Sequence, residues 1–341
     1  MLISILIPVR DDPEGLRRCL DSLWAQDLRN CQILICDDGS NPPVRLQRRH
    51  RDRLGPKLFR SDGKGPAAAR NLLASEAEGD FLFFVDADTE MLADTLPKVR
   101  QVILENPGIG AFFGSYDDSP RHDSAVSLYK NLAHHWVHQN AAGRVSTFWC
   151  GCGIIRRQLF QEVGGLSESY RQPSIEDVEL GTRLAEKGVS VHLYPQIQVK
   201  HQKRWTFWNW ILTDLFRRGI PWVKLMLRRG RWPNQLNFTR SQRVAALAAL
   251  VVPAAFVFAV WDPRMLGVGF GALVLFCWLN RGLLQLVYRK KGLLPSLQVI
   301  PLHLLYALIC VSALVGGLLA ALFDAKKAAG KAQQPGGAAG S

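Results

Sequence analysis

The chain has no CxxC pair among its seven cysteines, which are Cys19, Cys31, Cys36, Cys150, Cys152, Cys277 and Cys310. An odd number without paired spacing, set mostly in apolar runs, excludes a disulfide framework and a zinc ribbon. It points to buried thiols in a reducing compartment. A leader signature is also missing: "MLISILIPVRDD" has too short an apolar run and no basic stretch before it. The front of the chain is therefore expected in the cytoplasm. Acidic residues nearly vanish between Lys200 and Arg243, where eleven Lys/Arg face the single Asp214, so this window carries +10 of the net +13. Long apolar stretches are scarce before Lys200 and crowd the segment from about Gln242 to Phe323.

The basic window also holds Trp205, Trp208, Trp210, Trp222 and Trp232, five of the ten tryptophans. Arg and Trp bordering apolar runs of spanning length read as a membrane belt, and a nucleic-acid partner is not expected. Phe207, Trp208, Ile211, Leu212 and Leu215 form one helical stripe that Gly219 and Pro221 are expected to break, and Trp222–Leu227 forms a second. Both read as helices lying in a membrane surface. Spanning candidates follow at Val244–Trp261, Met265–Leu279 and Leu297–Phe323, the middle one being marginal in length. "RKKG" at 289–292 suggests a cytoplasmic loop. The organisation expected is a catalytic domain over 1–203, interfacial helices over 204–241, two to three transmembrane helices over 242–323 and a disordered tail over 324–341. The expectation is a multi-pass protein of the cell membrane with its front domain cytoplasmic. The side on which the tail lies is left open.

The first two hundred residues alternate strand and helix signals. "LISILI", "CQILIC" and "FLFFV" are apolar strands, and "PEGLRRCLDSLWAQ" and "GPAAARNLLASEAEG" carry helical periodicity. Strands apolar on both faces and separated by helices imply a mostly parallel, three-layer α/β domain. In such domains ligands sit beyond the carboxyl ends of the strands. "PVRDD", "DDGS" and "DADTE" all occupy that position. Asp86 and Asp88, two residues apart behind a buried strand, repel each other and need a cation. Oxygen ligands with coordination positions to spare suit Mg²⁺ or Mn²⁺ with a phosphate completing the shell.

The ordered set "ISILIPVRDDPEGLRRCLDSLWAQ", "ILICDDGS", "GPAAARN", "GDFLFFVDAD", "CGCGIIRRQLFQEVGGLSESY" and "IEDVELGTRLAEKG" resembles the family-2 glycosyltransferases of the GT-A fold, over residues 2 to 201. The resemblance implies a nucleotide-diphospho-sugar donor. It places Pro8, Arg10 and Asp38 at the base, Arg70 near the base or diphosphate, Asp86 near ribose and metal, and Asp88 on the metal. "CGCG" with Gly151 would border the donor sugar. "ED" would supply the catalytic base, Asp177, with Glu176 in support. His201 would complete the metal shell, as it does in some relatives, or is a surface histidine beside the membrane belt. "QKRW" is one residue short of the QxxRW signature of processive enzymes. Gln202, Arg204 and Trp205 would still line the acceptor entrance.

The function expected is transfer of one sugar to a lipid or lipid-linked hydroxyl by a metal-dependent, inverting, membrane-anchored enzyme. An inverting transfer to a hydroxyl needs a base, whereas a polyprenyl phosphate is already ionised, so "ED" favours the hydroxyl. A non-catalytic nucleotide-sugar-binding membrane scaffold is the reading from another class.

Overall fold

The computed structural model describes residues 1–230 and 232–332. Strand β1 (Ile3–Val9) shows how the front of the chain layers. Ile3, Ile5 and Ile7 enter a core shared with α1 (Pro13–Leu23), while Leu6 points to the opposite face. That alternation is the period-two geometry of a strand covered on both sides. β2 (Cys31–Asp38) pairs parallel with β1 and, after α2 (Arg48–Leu54), β3 (Lys57–Ser61) pairs parallel with β2. Helix α3 (Pro66–Ser75) leads to β4 (Phe81–Val85), which is parallel to β1 on its other side and buried at every position.

Next come β5 (Thr89–Met91), α4 (Thr95–Glu105), β6 (Ala111–Tyr116), α5 (Ala125–Gln139), β7 (Gly143–Val145), β8 (Cys152–Arg156), α6 (Arg157–Glu162), α7 (Glu176–Glu186) and β9 (Val191–His201). Among the described residues the sheet holds nine strands in the order β3-β2-β1-β4-β8-β6-β9-β5, with β7 beside β9. Six run one way; β5, β7 and β8 oppose them. Helices α1 and α4 cover one face, and α3, α6 and α7 the other. The expected three-layer α/β architecture is the one found.

Past His201 the chain is helical. α8 (Phe207–Leu212) passes through a π-helical stretch, Thr213–Gly219, into α9 (Ile220–Arg229) without the expected break. Pro221 falls in the first turn of α9, where a missing N–H is tolerated, and the wider π turns before it make room for the ring. Gly219 serves close packing: a Cβ there would lie 2.6 Å from the Cβ of Ala313. α10 (Arg240–Phe258), α11 (Met265–Leu279), α12 (Arg281–Lys291) and α13 (Leu293–Ala332) follow. Arg240–Phe258 and Leu293–Asp324 are long and apolar enough to cross a membrane. α11 and α12 meet at a 70° bend and make a third span only if counted together. The helix runs on through Ala332, so the tail expected to be disordered from 324 is helical at its start; residues 333–341 lie outside the described residues.

A third core joins the two regions. Leu128, Tyr129 and Leu132 of α5 pack with Trp205, Trp210, Leu283 and Val287, and with Val299 and Ile309 of α13. Fully burying an indole such as Trp210 removes about 150–250 Å² from water, roughly 4–6 kcal/mol at ~25 cal/mol per Å².

Candidate active site

The carboxyl ends of β1, β2 and β4 deliver Arg10, Asp38 and Asp86 to one rim. Asp38 is buried, and both of its oxygens are engaged within the protein. Oδ1 accepts from the Ser61 hydroxyl at 2.6 Å and Oδ2 from the Gly65 amide at 3.0 Å. It thereby fixes the start of α3 against β3. Pro8 sits in β1 opposite Cys36, and the Arg10 guanidinium donates to the Gly63 carbonyl at 3.4 Å. Pro8, Arg10 and Asp38 thus share the edge of the rim where β1, β2 and the loop before α3 meet.

At the centre stands Arg70, buried on the second turn of α3. Its Nη2 donates to Asp86 Oδ1 at 2.6 Å and its Nη1 to Glu176 Oε1 at 3.0 Å. The first carboxylate of DAD and the first of ED, distant in sequence, thus hang on one guanidinium. Burial works against that charge, but Asp86 and Glu176 hold it firmly protonated. Glu176 Oε2 also accepts the Ser174 amide at 2.9 Å. Asp86 and Glu176 are therefore neutralised within the protein.

Asp177 is not. Its oxygens accept backbone amides from Val178 at 2.8 Å and Cys150 at 3.2 Å, and no cationic side chain lies within ion-pair distance among the described residues. Burial, then the Glu176 charge, push its carboxyl up to about 7, with Arg70 only partly opposing. Two glycines hold it there. A Cβ on Gly181 would lie 2.3 Å from the Phe148 amide nitrogen, so α7 lies directly on the Thr147–Phe148 backbone. A Cβ on Gly151 would lie 2.3 Å from the Trp149 ring, which folds across that residue.

Asp88 has the opposite need. Burial, with Asp86 adding to it, raises its carboxyl above the usual range. Its nearest basic side chain is His201, with Nε2 at 3.8 Å from Oδ2. β5 aligns them, since Thr89 pairs with His201 across the sheet and the Gln202 amide donates to the Asp88 carbonyl at 2.8 Å. His201 is buried, stacked on Tyr116 with ring centroids 4.1 Å apart, and burial, then Lys203 and Arg218, hold it neutral. A neutral imidazole beside a carboxylate that lacks a cation fits a divalent ion. Among the described residues no three His, Cys, Asp or Glu side chains converge on such a point. The protein would supply Asp88 and His201 and leave positions for phosphate oxygens.

These groups act on common neighbours. The Cys150 thiol is raised by burial and feels Arg70, Asp177, Glu176 and Asp86 together. The Tyr116 hydroxyl is raised by burial and feels Asp88, Asp86 and Asp177. The DAD and ED carboxylates therefore stand together, joined through Arg70.

The helical region packs beside this group of residues. Trp205 is buried, with Lys203 4.4 Å, Lys130 5.5 Å and Arg218 6.0 Å from its ring centroid. Arg204 is exposed. Gln202, expected at the acceptor entrance, is buried and accepts a hydrogen bond from Arg18 of α1. The Ser174 hydroxyl, three residues before Asp177, donates to the Arg217 carbonyl, tying the ED loop to the π-helical stretch. Reading the sequence missed the Lys203–Lys130–Arg218 ring. Its only signal was a lysine inside "QKRW" and an "RRG" after a Trp-rich stripe. A separate cavity of about 680 Å³ opens at the other end of β6 and β9, between Gly108 and Ser190, with Glu162 as its one acid.

Residues 4–164 match the family model for glycosyl transferase family 2, and residues 132–205 match that for the N-terminal domain of galactosyltransferase. The pre-mycofactocin glycosyltransferase of Mycobacterium tuberculosis is 29% identical over 231 residues, 64% of this chain and 46% of that protein. The UDP-Glc:alpha-D-GlcNAc-diphosphoundecaprenol beta-1,3-glucosyltransferase WfgD of Escherichia coli is 29% identical over 117 residues, 34% of this chain and 46% of that protein. The chain thus spans about half the length of these curated relatives. Among solved structures, the mannosyltransferase PcManGT from Pyrobaculum calidifontis, in complex with GDP-Man and Mn²⁺, superposes with a TM-score of 0.56 at 14% identity. The match covers 93% of this chain and 86% of that one, a likeness of fold alone. The front domain has the expected GT-A architecture. The family-2 model over residues 4–164, the glycosyltransferase relatives and that architecture together support a family-2 glycosyltransferase domain in the front of the chain.

Proposed function

We propose that the chain is a membrane-anchored, metal-dependent, inverting glycosyltransferase. It moves a single sugar from a nucleotide-diphospho-sugar to a hydroxyl of a lipid or lipid-linked acceptor. One observation carries the reading. Arg70 neutralises Asp86 and Glu176, which leaves Asp177 as a carboxylate without a cationic partner beside Gly151 and Cys150. A general base needs a proton affinity near the working pH, and burial next to Glu176 confers it.

In the reaction the acceptor oxygen bonds to the anomeric carbon as the bond from that carbon to the diphosphate oxygen breaks. The electron pair leaves on the nucleoside diphosphate, and the hydroxyl proton passes to a carboxylate oxygen of Asp177. Asp88 and His201 would hold a divalent ion, which would supply charge neutralisation to the leaving diphosphate. Asp38 fixes the loop before α3 through Ser61 and Gly65, and the Arg70 guanidinium holds the carboxylates of Asp86, after β4, and Glu176, on α7. A lipid acceptor is supported by the loop before Asp177, which the Ser174 hydroxyl ties to the π-helical stretch beside the apolar helices. WfgD, by its name, acts on a diphosphoundecaprenol-linked sugar.

A polyprenyl-phosphate acceptor is the second reading, favoured by the cations gathered on Trp205. The test is a nucleotide-sugar panel scored for metal-dependent release of nucleoside diphosphate, with and without membrane lipid extract. Release that requires the lipid supports the reading. Silence across the panel favours a nucleotide-sugar-binding scaffold instead.

A further inference from the structure

α13 passes every compositional test for a membrane span, yet its contacts do not run across a membrane. Its first turns pack beside α12, where the Ser296 hydroxyl donates to the Leu284 carbonyl at 3.0 Å. α12 in turn lies on the catalytic domain. Lys290 pairs with Asp118 at 2.5 Å, Lys291 pairs with Asp123 at 2.7 Å, and a Cβ on Gly282 would meet the Trp136 indole nitrogen at 2.7 Å. Further along, His303 bonds to the Tyr129 hydroxyl of α5 at 2.9 Å. Beyond that, Ala313 and Gly317 pack on Gly219 and Val223 of the π-helical stretch and α9. Asp324 pairs with Lys224 at 2.7 Å, and Arg229, at the end of the same α9, pairs with Glu186 of α7 at 2.7 Å. Both ends of the segment 293–324 are therefore anchored to elements of the catalytic domain's own side.

Its relation to α10 and α11 agrees. Those two helices form a hairpin whose open end is tied by Gln242 to Asn280 at 2.9 Å, and Asn280 also meets His303. α13 packs on the hairpin near that end, through Leu304 and Ala307 against Ala245, Ala249 and Phe276. The rest of the hairpin, out to Trp261, stands away from α13, with Phe256, Val257 and Phe270 exposed.

We infer that α13 lies in the plane of the membrane, seated in the leaflet on the catalytic side, and that the part of the chain inserted in the bilayer is the α10–α11 hairpin. Thirty-two residues at ~1.5 Å each would reach about 48 Å, well beyond a ~30 Å hydrocarbon core, if the helix stood upright. One stripe of the helix, through Val299, His303, Ala313 and Gly317, is buried against protein. At about 100° per residue Leu297, Val315 and Leu322 fall together on the opposite face, and all three are exposed. That apolar line, like the exposed Trp208 and Phe216 of the preceding helices, is matched to acyl chains. The arrangement returns the lysine-bearing tail to the catalytic side, as the excess of basic residues there requires. This inference rests on packing alone and stands whether or not transfer occurs.

The test uses the full chain in phosphatidylcholine–phosphatidylglycerol vesicles. A bimane probe is placed on Leu297→Cys, Val315→Cys or Leu322→Cys in a Cys310→Ala background. Quenching by lipids brominated near the headgroup is compared with quenching by lipids brominated near the bilayer centre. The expected result is one ratio of shallow to deep quenching at all three positions. A ratio that changes from one position to the next marks a helix that traverses the bilayer and overturns the inference. Absence of lipid quenching at any of the three means that protein, including a second copy of the chain, covers the face; that also overturns it.

Discussion

Replacing Arg70 with methionine probes the centre of the rim most severely. The side chain is buried and bridges Asp86 at 2.6 Å and Glu176 at 3.0 Å. Methionine keeps much of the stem's volume and removes the charge. Glu176 is 4% exposed, so leaving it without a cation costs about 3–5 kcal/mol. Asp86 is more exposed and screened, adding about 1 kcal/mol. For a domain of this size each kcal/mol moves Tm by roughly 2–4 °C, so the expected fall is on the order of 10–20 °C at pH 8. As pH drops, the stranded carboxylates take up protons and the deficit relative to wild type shrinks. Adding Glu176→Gln to Arg70→Met should restore most of the loss. The assay is thermal unfolding of the purified full chain at pH 8 and pH 5. A single variant within a few degrees of wild type at pH 8 would refute the bridging role.

The Asp177 carboxyl, raised to about 7, acts as a base only when ionised. Turnover should therefore fall as pH drops through neutrality, and a profile flat down to pH 5 would count against the assignment. Chelation with EDTA should abolish transfer and Mn²⁺ restore it. Asp88→Asn should weaken Mn²⁺ binding in the presence of nucleoside diphosphate at least ~10-fold, and His201→Ala should act in the same direction. Binding unchanged in both would remove the metal site. Gly181→Ala puts a methyl 2.3 Å from the Phe148 amide nitrogen and must push α7 outward. A displacement near 1 Å should cost about 100-fold in turnover with donor affinity kept, measured by kinetics alongside equilibrium binding.

The alternation of strands and helices, the all-apolar "FLFFV" and the turn-forming strand ends were enough to place the catalytic layer and its rim, because burial on both sheet faces leaves a direct imprint on sequence. The partnerships inside the rim were less legible. Nothing local to "AARN" shows that Arg70 joins Asp86 to Glu176, since that contact is made by chain segments about a hundred residues apart. Asp38 was expected at the nucleotide base, and its hydrogen bonds to Ser61 and Gly65 show a second, architectural duty that its motif does not spell out. In the helical region hydropathy marked each apolar segment but not its direction. The break expected at Gly219 and Pro221 is absent because π turns carry the helix through, and the path of α13 is set by side contacts that a hydropathy profile averages away.

The most direct test of the central claim compares wild type with Asp177→Asn for transfer of radiolabelled sugar from its donor into lipid-extractable material, with donor binding measured on the same preparations. The Asn side chain fills the same space, so the account predicts a loss of ~100-fold to 10,000-fold in transfer with donor affinity nearly unchanged. Undiminished transfer by the variant would contradict it.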